Sequence, residues 1–362
     1  MNSTTLPERN LDLLRAVAVL CVLADHLLTT WDIQPPLLTP WDLGRIGVLL
    51  FFVHTSLVLM SSLEREGPRR DWVRAFYVRR GLRIYPLAMA TIVGVALLGV
   101  PPHVLSHSVT GQPPVPPTLP TLFANLTLTQ NLTNRPDVLG VLWSLPLEVQ
   151  MYLALPLCFV IARRGVVPTL SALAVAVLAG LGVRFSGLPG VWRLSVALFG
   201  PCFLGGVLAY AILRLRKRTL FPSWAWPLLL VACLPLFVAL DPSSDSPERG
   251  WLFCLGVGCA IPLAGNLGES VLTRMAHVVC TYSYGIYLLH QPALWFSFVV
   301  LKGTPVVIQW GICLALLFAL PAAFYRLIEH PGIQWGKRLV AISPRSSSPD
   351  ESHSISRDSS PG

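Results

Sequence analysis

The sequence predicts an all-α integral membrane protein: a bundle of about ten transmembrane helices, both termini cytoplasmic. Three observations carry this. The first is composition: 53% of the 362 residues are hydrophobic and 12% charged, where soluble domains are roughly a quarter charged. The second is segmentation, because the apolar residues fall in runs long enough to cross a bilayer core, about 20 residues of helix each. The third is the basic residues, which give a formal charge of +9 yet gather in short stretches between the runs. A basic surface for nucleic acid needs a polar domain to carry it, and no region of domain size qualifies, so no nucleic-acid partner is expected. A secreted disulfide scaffold is excluded too. All eight cysteines lie inside apolar segments without metal-ligand spacing, as small buried hydrophobes do, and no metal is expected.

In chain order the runs lie at about 11–30, 44–62, 84–100, 145–162, 166–185, 194–213, 224–241, 251–266, 278–298 and 306–328. The first reads as a retained helix, since Asp12, Arg15, Asp25 and His26 interrupt it and no small-residue cleavage site follows. Segment 63–83 holds Arg65, Arg69, Arg70, Arg74, Arg79, Arg80 and Arg83, and further basic groups are Arg163/Arg164, Arg214 with Arg216, Lys217 and Arg218, and Lys337/Arg338. Ten spans put all of these on the side of the N-terminus. The other side receives Arg45, Arg135, Arg184, Arg193, Arg249 and Lys302, which leaves 21 of the 27 basic residues cytoplasmic or close to it. An odd count would scatter them across both faces.

Between the third and fourth runs, 101–144 is nearly uncharged and proline-rich and reads as an extended external loop held against the protein, with sequons at Asn125 and Asn131. The chain divides into a transmembrane domain, 1–340, and a tail, 341–362, too poor in apolar residues to fold and expected to be a disordered cytoplasmic segment.

Ionisable groups within spans cost about 2.5–3.5 kcal/mol each on insertion scales, so their positions are informative. Arg15 and His26 are eleven residues apart, three turns plus about 20°, and share one helix face roughly 16 Å apart along the axis. Asp12 lies one turn before Arg15, within pairing reach. A salt-bridged packing stripe, with the histidine bonded to a nearby carbonyl, accounts for this as well as a functional face does. Glu148 falls at the outer mouth of the fourth span, four residues from Tyr152 and flanked by apolar residues and Trp143. In the ninth span Tyr284, Tyr287 and His290 recur at three-residue intervals, as interfacial aromatics also do. Arg79, Arg80 and Arg83 stand where the basic loop enters the third span. Topology explains their charge but not the choice of arginine, the better bidentate phosphate ligand.

Together and in this order, the segments from about 9 to 335 resemble the acyltransferase-3 family of membrane O-acyltransferases. RNLDLLRAVAVLCVLADH is similar to its opening helix, with Arg15 and His26 at the family's spacing, and RIGVLLFFVHTSLVLM to its second. FYVRRGLRIYPL carries an arginine-x-x-arginine motif at Arg80 and Arg83. LWSLPLEVQMYLALPL carries Trp143, Ser144, Glu148 and Tyr152, and SYGIYLLHQP and RLIEHPGI resemble the last two helices. Leu49, His54-Thr55-Ser56 and Pro146 depart from the family pattern. The esterase-like domain that some members append is expected to be absent.

The resemblance implies transfer of an acyl group, most often acetyl, from cytoplasmic acyl-CoA to a carbohydrate or glycolipid hydroxyl, in a multi-pass protein of the bacterial inner membrane in contact with membrane lipid. It makes His26 the general base or an acyl-carrying nucleophile. Glu148 or Asp25 would orient the imidazole, Arg15 would line the donor's entry, and Arg80, Arg83 and Arg79 would hold the phosphates of CoA. Trp143, Tyr152 and Tyr287 would contact the acceptor, and His290 would be structural or a second proton carrier. Surface polysaccharide, lipopolysaccharide, peptidoglycan, a glycosylated small molecule and a glycolipid all remain open as acceptors. A proton-coupled transporter or flippase without chemistry is the rival reading, disfavoured by the one-sided arginine cluster and the lack of repeated broken helices. A purely structural bundle, its polar stripes serving as helix glue, is the third.

Overall fold

The computed structural model describes residues 6–65, 71–103, 116–187, 190–216, 218–240 and 246–342, and these residues are helical apart from connections and one isolated bridge, Phe221 to Ala264. The long helices are α1 (Glu8–Thr30), α2 (Pro40–Arg65), α3 (Trp72–Leu98), α6 (Leu145–Arg163), α7 (Val166–Phe185), α8 (Ser195–Leu215), α9 (Ala225–Leu240), α10 (Pro247–Leu263), α11 (Val271–Leu294) and α12 (Val306–Phe324). Between α3 and α6 lie two short helices, α4 (Leu119–Leu126) and α5 (Gln130–Thr133), and α13 (His330–Ile342) closes the order. Each predicted run falls on one of the long helices. Six helical stretches are long and apolar enough to cross a membrane: α2, α3, α6 with its leading turn, α7, α8 and α12 continued into α13. Of the others, α9 and α10 are 16 and 17 residues long, short of the ~20 that a bilayer core takes, and α1 and α11 carry ionisable residues within their length.

Helix α2 is the axis of the bundle, enclosed by α1, α6, α8 and α10, with Ile46, Val53, Leu57 and Met60 fully buried. α7, α9 and α12 lie outside and turn Val175, Leu178, Val231, Val307 and Phe318 outward, the apolar exterior that lipid tolerates and water does not. Small residues permit the central crossings. A Cβ on Gly206 of α8 would meet the Val53 carbonyl and Ser56 Oγ of α2, and one on Gly47 of α2 would meet the Ala18 carbonyl of α1 at 2.5 Å. Gly206→Val should therefore force α8 off α2 and destabilise the bundle by about 1–3 kcal/mol. A lowered thermal unfolding midpoint in detergent checks this; an unchanged midpoint contradicts so close a crossing.

Several boundaries differ from the sequence reading. Helix α3 starts at Trp72, not near 84, because the arginine-rich approach is itself helical and α13 packs along it, Gly332 against the Leu82 carbonyl and Gly336 against Arg79. Helix α11 starts at Val271 behind a capping box made by Ser270 and Thr273. The described parts of the 101–144 connection are not extended throughout but carry two short helices and a 3-10 turn. Thr118 accepts from the Thr121 amide and Pro120 occupies the first turn, which starts α4. Asn125, one of the two sequons, is fully buried: its amide donates to the Thr121 and Pro136 carbonyls and its oxygen accepts from the Val138 amide. Residues 104–115 of this connection, the tail from 343, Arg69, Arg70 and Lys217 lie outside the described residues.

Candidate active site

Two cavities lie end to end inside the bundle and share Val48 and Tyr287 as walls. One, of about 200 Å³, is ringed by charge: Arg15 from α1, Arg80 and Arg83 from α3, Glu148 and Tyr152 from α6. The other, of about 830 Å³, is larger and more apolar, and collects Asp25, His26, Trp41, Asp137, Trp143 and Gln291. Arg15 lies in the first half of α1 and His26 in its last turns. The shared face predicted for them thus opens onto both chambers, the arginine onto one and the histidine onto the other.

The cationic chamber is built from helix interiors. Arg15 Nε donates to Ser283 Oγ at 2.6 Å, and its guanidinium lies 5.9 Å over the Phe51 ring. It does not pair with Asp12, as sequence spacing suggests; Asp12 takes His277 of α11 at 2.8 Å instead. Arg80 and Arg83 lie in the third and fourth turns of α3 and project inward, not at its mouth. Arg79 is not among the chamber's walls; its backbone packs on Gly336 of α13. Arg83 stands 3.7 Å from the carboxylate of Glu329, whose side chain is fully buried. A π-helical turn, Tyr325–Glu329, brings Glu329 there, and such turns displace a side chain from its α-helical register.

Glu148 also departs from expectation. It faces inward toward the arginines, not the outer mouth, and accepts a hydrogen bond from the Tyr152 hydroxyl. The cause is a 3-10 turn, Gly140–Ser144, that leads the chain directly into α6 and is tied to α11. Tyr287 donates to the Val141 carbonyl at 2.7 Å and, its proton committed, accepts from Ser144 Oγ at 2.7 Å. Tyr284 donates to the Ile84 carbonyl of α3 at 2.8 Å. These tyrosines lace the entry of α6 and the middle of α3 to α11, so their stripe is internal rather than interfacial.

In the larger chamber, His26 Nδ1 lies 2.9 Å from the Val22 carbonyl, which assigns the proton to Nδ1 and leaves Nε2 as the basic nitrogen. The carbonyl-bonded histidine of the structural reading is thus present, and the same side chain also lines the cavity. Asp25 is the carboxylate beside it, 3.7 Å from Nδ1 and held by Thr29 at 3.3 Å; Glu148 lines the other chamber. His290 lies behind His26, ring centroids 4.9 Å apart in an edge-to-face arrangement, and bonds through Nδ1 to the Ile286 carbonyl at 3.0 Å. It is buried and not among the walls of either chamber. Trp143 packs on Phe199 at 5.5 Å and, with Trp41, supplies flat apolar surface. Asp137, outside the spans, accepts from Gln130 at 3.0 Å; burial raises its carboxyl pKa, and the Gln130 bond opposes that. Of the predicted acceptor contacts, Trp143 lies here, Tyr152 lines the cationic chamber, and Tyr287 borders both.

Ser283, Glu329, His54, Trp41 and Asp137 were not predicted as site residues. Glu329 had a visible signal, a lone carboxylate closing an apolar run. Ser283 and Asp137 had none, since a serine in a helix and an aspartate in a loop are ordinary.

The chain matches the model of the family described as "Acyltransferase domain" over residues 8–326. Among curated relatives, YrhL of Bacillus subtilis (strain 168), named as a candidate peptidoglycan O-acetyltransferase, is 29% identical over 89% of this chain and 54% of its own length. Nodulation protein 10 of Rhizobium leguminosarum bv. viciae is 26% identical over 92% of this chain and 95% of its own. Peptidoglycan O-acetyltransferase OatA of Listeria monocytogenes serovar 1/2a (strain ATCC BAA-679 / EGD-e) is 25% identical over 89% and 55%. The chain therefore spans about half the length of the two O-acetyltransferases. No solved structure matches it. With the model matched from α1 into the π-helical turn that carries Glu329, the chain belongs to the acyltransferase-3 family.

Proposed function

We propose that this chain is a membrane O-acyltransferase that moves an acetyl group from cytoplasmic acetyl-CoA to a hydroxyl of a carbohydrate on the far side, peptidoglycan being the acceptor class that two relatives' names supply. The observation that carries the reading is the pair of chambers meeting at Tyr287: one lined by Arg15, Arg80 and Arg83, the other by His26, Asp25 and two tryptophans. Guanidinium groups suit the phosphates of the donor, and tryptophan faces with carboxylates suit a sugar. The ten helices are all crossings in this reading, both termini are cytoplasmic, and the membrane is the bacterial inner membrane.

His26 Nε2 removes the proton of the attacking hydroxyl as the oxygen bonds to the thioester carbonyl carbon. The C–S bond then breaks, and the departing sulfur takes the proton back from the imidazolium. The Val22 carbonyl holds the tautomer, and Asp25 stabilises the cation that forms and vanishes within the cycle. An imidazole at the edge of a sugar-sized cavity would also serve a proton-coupled carrier; the family match is what favours chemistry.

Thiol release from acetyl-CoA by the purified protein, with and without a panel of glycans including peptidoglycan fragments, tests the proposal. Release that depends on a glycan is the expected result. Folded protein that neither releases thiol nor binds CoA would overturn it in favour of the transporter.

A further inference from the structure

His54 of α2 is 3% exposed, lines the cationic chamber, and has its Nδ1 buried without a hydrogen-bond partner. Arg80 Nε, in the same chamber, is likewise buried without an acceptor. An orphaned polar group inside a protein costs about 1–3 kcal/mol unless something fills it. Arg80 Nε is a donor, and His54 Nδ1 is one in the tautomer that protonates it, so one acceptor in the chamber would serve both. The charges point the same way: Arg15, Arg80 and Arg83 face Glu148 and Glu329, and Glu148 is already engaged by Tyr152. With His54 neutral, one positive charge is left over, and the chamber suits an anionic group.

The spacing says which phosphate. Arg15 and His26 are separated by roughly 16 Å along α1. Twelve bonds join the ester oxygen of the pantetheine phosphate to the sulfur of CoA, and an extended chain of that many bonds reaches roughly 14 Å at peptide-backbone spacing. A thioester placed at His26 therefore leaves the pantetheine phosphate, and not the ribose 3′-phosphate, level with Arg15. We propose that His54 donates a hydrogen bond to the pantetheine phosphate of the acyl donor, completing a site formed with Arg15, Arg80 and Arg83. The assignment rests on the acyl-CoA reading above and adds to it both a residue and the particular phosphate.

Binding of four donors to the full chain in nanodiscs tests it: acetyl-CoA, acetyl-dephospho-CoA, acetyl-phosphopantetheine and acetyl-pantetheine, with inorganic phosphate as a competitor. His54→Leu should weaken the three phosphorylated donors by about tenfold and leave acetyl-pantetheine unchanged. His54→Gln, which keeps an N–H donor, should recover part of that loss and serves if the leucine variant folds poorly. Equal weakening of acetyl-pantetheine would reduce His54 to packing, and an effect confined to acetyl-CoA would move it to the ribose phosphate; either overturns the proposal. So does inorganic phosphate that competes as well as phosphopantetheine, which would make the chamber a free-phosphate site. Unchanged binding in both variants, with wild type binding normally, overturns the His54 assignment alone. Wild type that binds none of the four overturns the acyl-CoA reading itself.

Discussion

Alanine at His26 is expected to lower acyl transfer by about 10²–10⁴-fold, the usual worth of a positioned general base, while the protein stays inserted and folded. The two effects are separable because His26 contributes little to packing. Its side chain makes one hydrogen bond, to Val22 one turn back, one ring contact, to His290, and a 3.7 Å approach to the Asp25 carboxylate. Losing the first costs about 0.5–1.5 kcal/mol. The bond from Thr30 to the His26 carbonyl belongs to the backbone and survives the substitution. Size-exclusion behaviour and the thermal midpoint should therefore stay near wild type as turnover falls. Wild-type turnover in His26→Ala would remove this residue from the mechanism; lost turnover together with lost folding would support the structural reading of the α1 stripe.

The second large effect is expected at the arginines. Arg80→Gln should weaken acetyl-CoA binding by about 10–100-fold, the equivalent of one charge-assisted hydrogen bond of roughly 1.5–3 kcal/mol. Lysine at the same position should restore only part of it, since an ammonium cannot offer two parallel donors to a phosphate. Arg83→Gln should weaken the donor comparably and also reduce stability, because Glu329 is left fully buried without its cation. The penalty is tempered by the partial exposure of Arg83 and the 3.7 Å separation, which already describe a loose pair. Titration calorimetry with acetyl-CoA and thermal unfolding of the same samples separate the two contributions. Donor affinity that ignores both substitutions would leave these arginines as topology signals alone.

Much of this was legible in order along the chain. Helix positions follow from the length of apolar runs, because a bilayer core imposes its own ruler. The pairing of Glu148 with Tyr152 and the common face of Arg15 and His26 follow from helical period, which needs no tertiary knowledge. Helix starts were less legible. A basic segment reads as loop by charge, yet Trp72–Arg83 is helix because α13 covers it, a contact from more than two hundred residues away.

The sequence by itself determined that the chain is helical and apolar, which family it belongs to, and which few polar residues interrupt its helices. Only the tertiary structure decided which of those residues meet. Asp12 could reach Arg15 by spacing but takes His277. Glu148 could face outward but turns to the arginines, and Arg83 meets Glu329 on the π-helical turn packed beside α3. His54 looks like a local irregularity until the cationic chamber sets it opposite Arg15, Arg80 and Ser283. The reason is geometric. Period and hydropathy act along one helix, whereas a partner for a buried charge is chosen among side chains that neighbouring helices bring within hydrogen-bonding reach, and that choice is settled by packing.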